Sequence, residues 1–184
     1  MRRAALVFAS LLAVTGLSSP VAAAVPVAEK ETAALRAVFP DAERFEPRDV
    51  LLDDAAAARI ERLARTRVRD RLVTFYRAWR GQELVGYAAI HSHVVRTKRE
   101  TLSIAFEPDG RIRKIVVVSF LEPKEYEPSP RWLAQLEGKG PGDRLAVGQD
   151  LAPITGATLT ARGVAEEARF LLQALRDAKE AAAR

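Results

Sequence analysis

Between Ala152 and Ala168 the chain reads APITGATLTARGVAEEA, which sets Thr155, Thr158 and Thr160 around a Gly-Ala pair just ahead of a helical pattern. Gly156 and Ala157 carry almost no side chain, so another group can approach the backbone closely there. The N-terminus of a helix presents N–H groups without partners and the positive end of the helix dipole, and both favour a phosphate. A threonine hydroxyl at such a place can hydrogen-bond a phosphate or be esterified to it. A phosphodiester keeps one negative charge, which the helix terminus would offset. The same residues also suit ordinary helix capping, and local physics leaves both roles open.

His91-Ser92-His93 is the second stretch with chemical content. On a strand, residues two apart point the same way, so both imidazoles can face one metal ion. They are the only two histidines in the chain, and carboxylates would have to complete the ligand set. A solvated strand face accounts for them equally well, and the reading adopted is that no metal is bound. No nucleophile–base–acid triad or carboxylate pair for general acid–base work is evident, so no catalytic residue is assigned. The aromatic residues Trp79, Trp132, Tyr87 and Tyr126 read as core rather than as a cofactor box.

These residues need elements to hold them. Residues 27–39 read as a short helix stopped by Pro40, and Asp53 or Asp54 caps a second helix over 54–68. The period then changes. Residues 72–79 and 83–95 read as strands joined at Gly81, and 101–107 and 111–121 as a hairpin through Pro108-Asp109-Gly110. Three prolines make 121–130 a surface loop, and 131–139 a short helix. The last helix is expected to begin near Thr160 or Ala161, with Val164, Ala168, Leu171, Leu175 and Ala178 as its buried stripe. Together these predict an α+β fold: a single domain with a mostly antiparallel sheet of about four or more strands, flanked by helices, and a long C-terminal helix.

At 184 residues and 48% hydrophobic content the chain suits one globular domain. Arg2 and Arg3, an apolar run over 4–17 and small residues up to Ala23 or Ala24 form the pattern of a secretory signal peptide. An uncleaved N-terminal anchor is the other reading of that stretch. The expected organisation is a signal peptide over 1–24, an N-terminal helical segment over 25–69 and the main domain over 70–184. The expected location is the periplasm, with membrane association left open. Arg2 and Arg3 are the only charges in the first 24 residues, so cleavage takes 29 basic residues to 27 against 24 acidic ones and the net charge from +5 to +3. That balance argues against a nucleic-acid partner. With no cysteine, disulfides, thiol redox chemistry and thiolate metal clusters are excluded, so a redox role would require a bound cofactor.

Thr155-Gly156-Ala157-Thr158, followed by Leu159-Thr160, resembles the Ser/Thr-Gly-Ala-Thr flavinylation motif of the FMN-binding domain family. That family includes the flavin-carrying C subunit of sodium-translocating NADH:quinone oxidoreductase and the G subunit of the Rnf complex. Gly86-Tyr87 in a strand, a turn at Asp109-Gly110 and an Ile/Val-rich strand precede the motif in the family's order, so the likeness extends over roughly residues 70–175. The resemblance implies FMN joined through its phosphate to Thr158 by a flavin transferase. Thr155, Gly156, Ala157, Leu159 and Thr160 would lie around the cofactor, and Glu122 would contact the flavin from the loop after the last strand. It also implies electron transfer with a membrane redox complex or another periplasmic carrier. Two positions depart from the family pattern. Ala152 stands six residues before Thr158 where an Asp is usual, and Glu122-Pro123-Lys124 lacks the Thr and Gly of the family's Glu-Thr-Pro-Gly loop. Two other roles fit the same sequence: a noncovalent FMN-dependent reductase, and a non-redox periplasmic binding module that has lost the flavin.

Overall fold

The computed structural model describes residues 29–183; the signal-peptide reading of residues 1–24 lies outside them. Five strands pair in chain order into one antiparallel sheet: β1 (Arg44–Leu51), β2 (Leu72–Arg80), β3 (Glu83–Val94), β4 (Arg99–Phe106) and β5 (Ile112–Phe120). Because side chains alternate across a strand, the sheet has two faces and buries both. Helix α1 (Glu29–Val38) covers one face, placing Leu35, Val38 and Phe39 on Tyr76, Ala78, Ala88 and Ala105. Helices α2 (Asp54–Ala64) and α4 (Thr158–Ala182) cover the other, over Phe75, Ala89, Leu102, Ile104 and Phe106. The expected α+β architecture is present, with the long helix at the C-terminal end of the chain. Among the described residues no helix is long and apolar enough to cross a membrane.

Local chemistry sets the boundaries. The Asp53 carboxylate accepts the Ala56 N–H at 2.7 Å and starts α2. That helix stops at Arg65, which sits in the left-handed region (φ 52°), several residues before the expected end at 68. Gly81 (φ 56°) turns β2 into β3. Gly86 (φ 151°) lets two elements close on β3, because an added Cβ would lie 2.3 Å from the Phe106 carbonyl oxygen and 2.6 Å from the Phe39 ring. The helix expected over 131–139 is shorter: α3 (Pro130–Leu133), capped by Ser129, runs into a 3-10 turn at Ala134–Leu136. The segment expected to be an N-terminal helical unit contains β1 as well as α1 and α2, and β1 pairs with β2 from Arg44↔Trp79 to Leu51↔Leu72. Residues 29–69 are therefore built into the same sheet as the rest.

Helix α4 runs for 25 residues and packs beside α2 on one face of the sheet. Val164, Ala168, Leu171 and Leu175 are buried as its stripe predicts, and Ala178 is half-buried near its end. The helix is tied to α2 by a bidentate Arg59–Asp177 pair. Arg169 donates to the carbonyls of Ala64 and Leu145, both at 2.7 Å.

Candidate functional site

The loop leading into α4 is braced at each end. The Asp150 carboxylate accepts the N–H groups of Leu145 (2.9 Å) and Ala146 (2.6 Å). Burial opposes ionisation of Asp150, but these backbone donors hold its carboxyl below the usual range. Ala152 is gripped on both sides of its backbone: its carbonyl accepts Trp132 Nε1–H at 2.7 Å and its N–H donates to Gln135 Oε1 at 2.8 Å. Trp132 is thus a core residue with a structural hydrogen bond, in keeping with its reading from sequence.

Beyond that brace, Gly156 (φ 77°) turns the chain and open space surrounds the position a Cβ would take. Ala157 is the N-cap, and its carbonyl accepts the Ala161 N–H at 3.1 Å, the first bond of the helix. Helix α4 therefore begins at Thr158, not near Thr160 or Ala161, and Thr160 does not cap it. Thr160 is in the third helical position, turned inward and only 1% exposed. Thr158 is the first helical residue and is exposed, as are Thr155, Gly156 and Leu159, while Ala157 is buried. Alanine at the N-cap provides no side-chain acceptor, so the N–H groups of the first turn have no intrahelical partner and no cap. Arg162 follows Thr158 by four residues, on the same side of the helix, and is exposed too.

A cavity of about 270 Å³ opens beside this terminus. Its walls are the first turns of α4 (Leu159, Arg162, Gly163, Glu166, Glu167), the end of β3 (His91–Val95) and the connection before β2 (Arg67, Arg69, Asp70). At its rim Leu159 is 51% and Val94 49% exposed, two large apolar side chains left open to solvent. The lining thus combines this apolar rim with three arginines and three carboxylates (Asp70, Glu166, Glu167), and of residues 155–160 only Leu159 belongs to it.

Glu122 is placed elsewhere. Its Oε1 accepts the N–H groups of Thr97 (2.7 Å) and Lys98 (2.8 Å), with Arg96 and the Thr97 hydroxyl at 3.3 Å. These donors, the Thr97 N–H foremost, hold its carboxyl below the usual range. Glu122 fastens the turn between β3 and β4 and does not line the cavity.

His91 and His93 do share one face of β3, but that face is not solvated. It packs against α4, leaving the His93 imidazole 6% exposed and that of His91 14%. Two carboxylates that no local motif announces, Glu100 on β4 and Glu167 on α4, meet them there. The one sequence signal for this packing is Gly163 inside a helix, where a Cβ would lie 2.7 Å from His93 Nε2. Among the described residues, no three His, Cys, Asp or Glu donors are placed to hold a metal ion together.

No protein-family model, curated protein or solved structure matches this chain.

Proposed function

We propose that this chain is an exported electron-transfer protein of the FMN-binding type, carrying FMN through a phosphoester to the Thr158 hydroxyl. The observation that carries the reading is the position of Thr158: exposed, first in a long helix whose N-cap offers no side-chain acceptor, and beside a cavity rimmed by exposed Leu159 and Val94. The first-turn N–H groups and Arg162 supply the charge complement of a phosphodiester, each part working over the short range of a helix terminus. Gly156 and Thr155 leave the approach open, and Leu159 and Val94 offer apolar surface to a ring system. Ala157 and Thr160 serve by packing, since both are buried.

When bound, the flavin supplies one- and two-electron chemistry; the chain supplies attachment, position and field. A carrier of this kind needs no side chain that makes or breaks bonds in a substrate. A covalent link suits an exported protein, which cannot readily regain a lost cofactor. The partners that follow are a flavin transferase, which forms the ester, and a membrane redox complex or periplasmic carrier, which exchanges electrons. Asp150, held by its own loop, is not free to replace the acid that Ala152 lacks, so the transferase would have to recognise Thr155–Thr158 without it.

Co-expression with a flavin transferase tests this. Under denaturing filtration the flavin absorbance should stay with the chain, and Thr158→Val should abolish it. Flavin released into the filtrate would identify a noncovalent flavoprotein, the reductase reading. A colourless chain under all conditions would overturn both.

A further inference from the structure

The charged cluster behind the cavity has an order of its own. Glu100 lies directly opposite His93 in the β3–β4 register, and its Oε2 is 3.1 Å from His93 Nε2. The other nitrogen of that ring, Nδ1, faces Glu167 Oε2 at 3.9 Å. Glu167 Oε1 approaches His91 Nδ1 at 2.5 Å, and His91 Nε2 faces Asp70 Oδ2 at 3.6 Å. Carboxylates and imidazoles therefore alternate along a line from Asp70, 59% exposed at the cavity mouth, to Glu100, whose side chain is 0% exposed. Each ring has a carboxylate at both nitrogens. A metal centre would need the donors to converge on one point, whereas here they are strung end to end.

The cluster is poised rather than locked. His91 Nδ1, both nitrogens of His93, both oxygens of Glu100 and Glu167 Oε1 are buried and lack a partner at hydrogen-bonding angles, although the ionic neighbours are close. Charge fixes how many protons it holds. With neutral imidazoles the four groups, three at the base of the cavity and Glu100 fully enclosed, would carry two negative charges in a largely desolvated place, which is disfavoured. Two protons bring the quartet to neutrality, on the two rings or with one moved from His93 to Glu100.

We propose that Asp70, His91, Glu167, His93 and Glu100 form a proton relay, which stores two protons on the α4 face of the sheet and exchanges one with solvent or with an occupant of the adjoining cavity. In the outward step the His91 Nε2–H bond breaks and an O–H bond forms on Asp70. The His91 ring is left neutral with its Nδ1–H towards Glu167; the His93 Nδ1–H bond then breaks as an O–H bond forms on Glu167 Oε2, leaving His93 neutral with its Nε2–H towards Glu100. The net change is one proton lost from the quartet and released through Asp70. The 3.9 Å gap between Glu167 and His93 is the gate, since it is too long for transfer until the carboxyl turns.

The surroundings fit this role. Burial pulls His91 down, but the Glu167 carboxylate, with Asp70 behind it, outweighs that and holds the imidazole above its ordinary value. Burial pushes Glu100 up against the opposing pull of His93, with Glu127 adding to the rise from the 3-10 turn at Lys124–Tyr126 and its flank, and Glu167 from α4. Glu166 and Arg162 on α4, and Arg67 and Arg69 before β2, complete the charges around the cavity.

Because the chain has two histidines, ring-nitrogen NMR of the full chain made without a transferase reads the relay directly and independently of any flavin. His91 should stay protonated above the pH of a free imidazole, and the ring signals of His93 should follow the same transition. Glu167→Gln should lower the His91 midpoint by roughly one to three pH units and uncouple His93 from it. Asp70→Asn, at an exposed position that does not endanger folding, should move His91 in the same direction by less. Two rings that titrate independently and ignore both substitutions would overturn the relay. So would zinc bound at one ion per chain with neither ring titrating, which would identify a metal centre instead.

Discussion

Gly163→Ala separates a helix that merely contains a glycine from one shaped around His93. In an ordinary helix interior, replacing Gly with Ala gains about 1 kcal/mol. Here the new Cβ would lie 2.7 Å from His93 Nε2 and 3.1 Å from its Cδ2. The ring cannot swing away freely: its imidazole is 6% exposed and has Glu100 3.1 Å away on the neighbouring strand. Overpacking of this kind costs about 1–3 kcal/mol. The balance is a net loss of about 1 kcal/mol, or roughly 3 °C in Tm for a chain of this size. The assay is urea and thermal denaturation of a double-mutant cycle with His93→Ala. Without the ring, Gly163→Ala should turn stabilising by up to about 1 kcal/mol, giving a coupling of about 1–3 kcal/mol between the two positions. A Gly163→Ala change that stabilises equally in both backgrounds would refute the reasoning.

Two further outcomes follow from the geometry. Gly86→Ala should destabilise by more than about 3 kcal/mol, because its Cβ would meet the Phe106 carbonyl and the Phe39 ring at a backbone conformation that L residues rarely adopt; a urea-melt loss below about 1 kcal/mol would contradict this. His91 has a folded value above its ordinary 6.5, so its contribution to stability is complete below about pH 6.5 and is lost as pH rises through the folded value. Glu100, raised above its ordinary 4.5, acts in the same direction from about pH 4.5 upward. Stability measured by urea denaturation should thus fall as pH rises past neutrality, and Glu167→Gln should flatten the fall; an unchanged slope in that variant would count against Glu167 as the principal partner of His91.

Strands β2 to β5 were readable because each alternates or runs apolar and is bounded by a glycine or a Pro-Asp-Gly turn. The first strand was not. Its sequence RFEPRDVL is charged and carries Pro47 at its centre. That pattern is tolerated only because β1 lies at the sheet edge, where a missing N–H need not break a ladder. Thr158 was singled out by resemblance to the flavinylation motif, since local sequence alone left capping and phosphate roles open, and the start of its helix could not be read. Placing the boundary two residues early depends on Ala157 adopting an N-cap geometry without a capping side chain, against the usual preference. The histidine pair was visible as a same-face pair, whereas its burial was not: that depends on Glu167 arriving opposite from the far end of the chain, and no local period encodes it. Gly163 was the available sign, as a helix-interior glycine that propensity alone would replace. Motif order suggested Glu122 as a flavin contact, whereas its hydrogen bonds to the β3–β4 turn could not be read from sequence, because its partners lie some 25 residues upstream.

The central claim concerns one oxygen atom, so intact mass is the most direct test. Full-length protein co-expressed with a flavin transferase should gain the mass of FMN less water. Thr158→Val should lose that gain completely, while Thr155→Val and Thr160→Val should keep it. An unmodified mass with the transferase present, or a mass gain that survives Thr158→Val, would contradict the account.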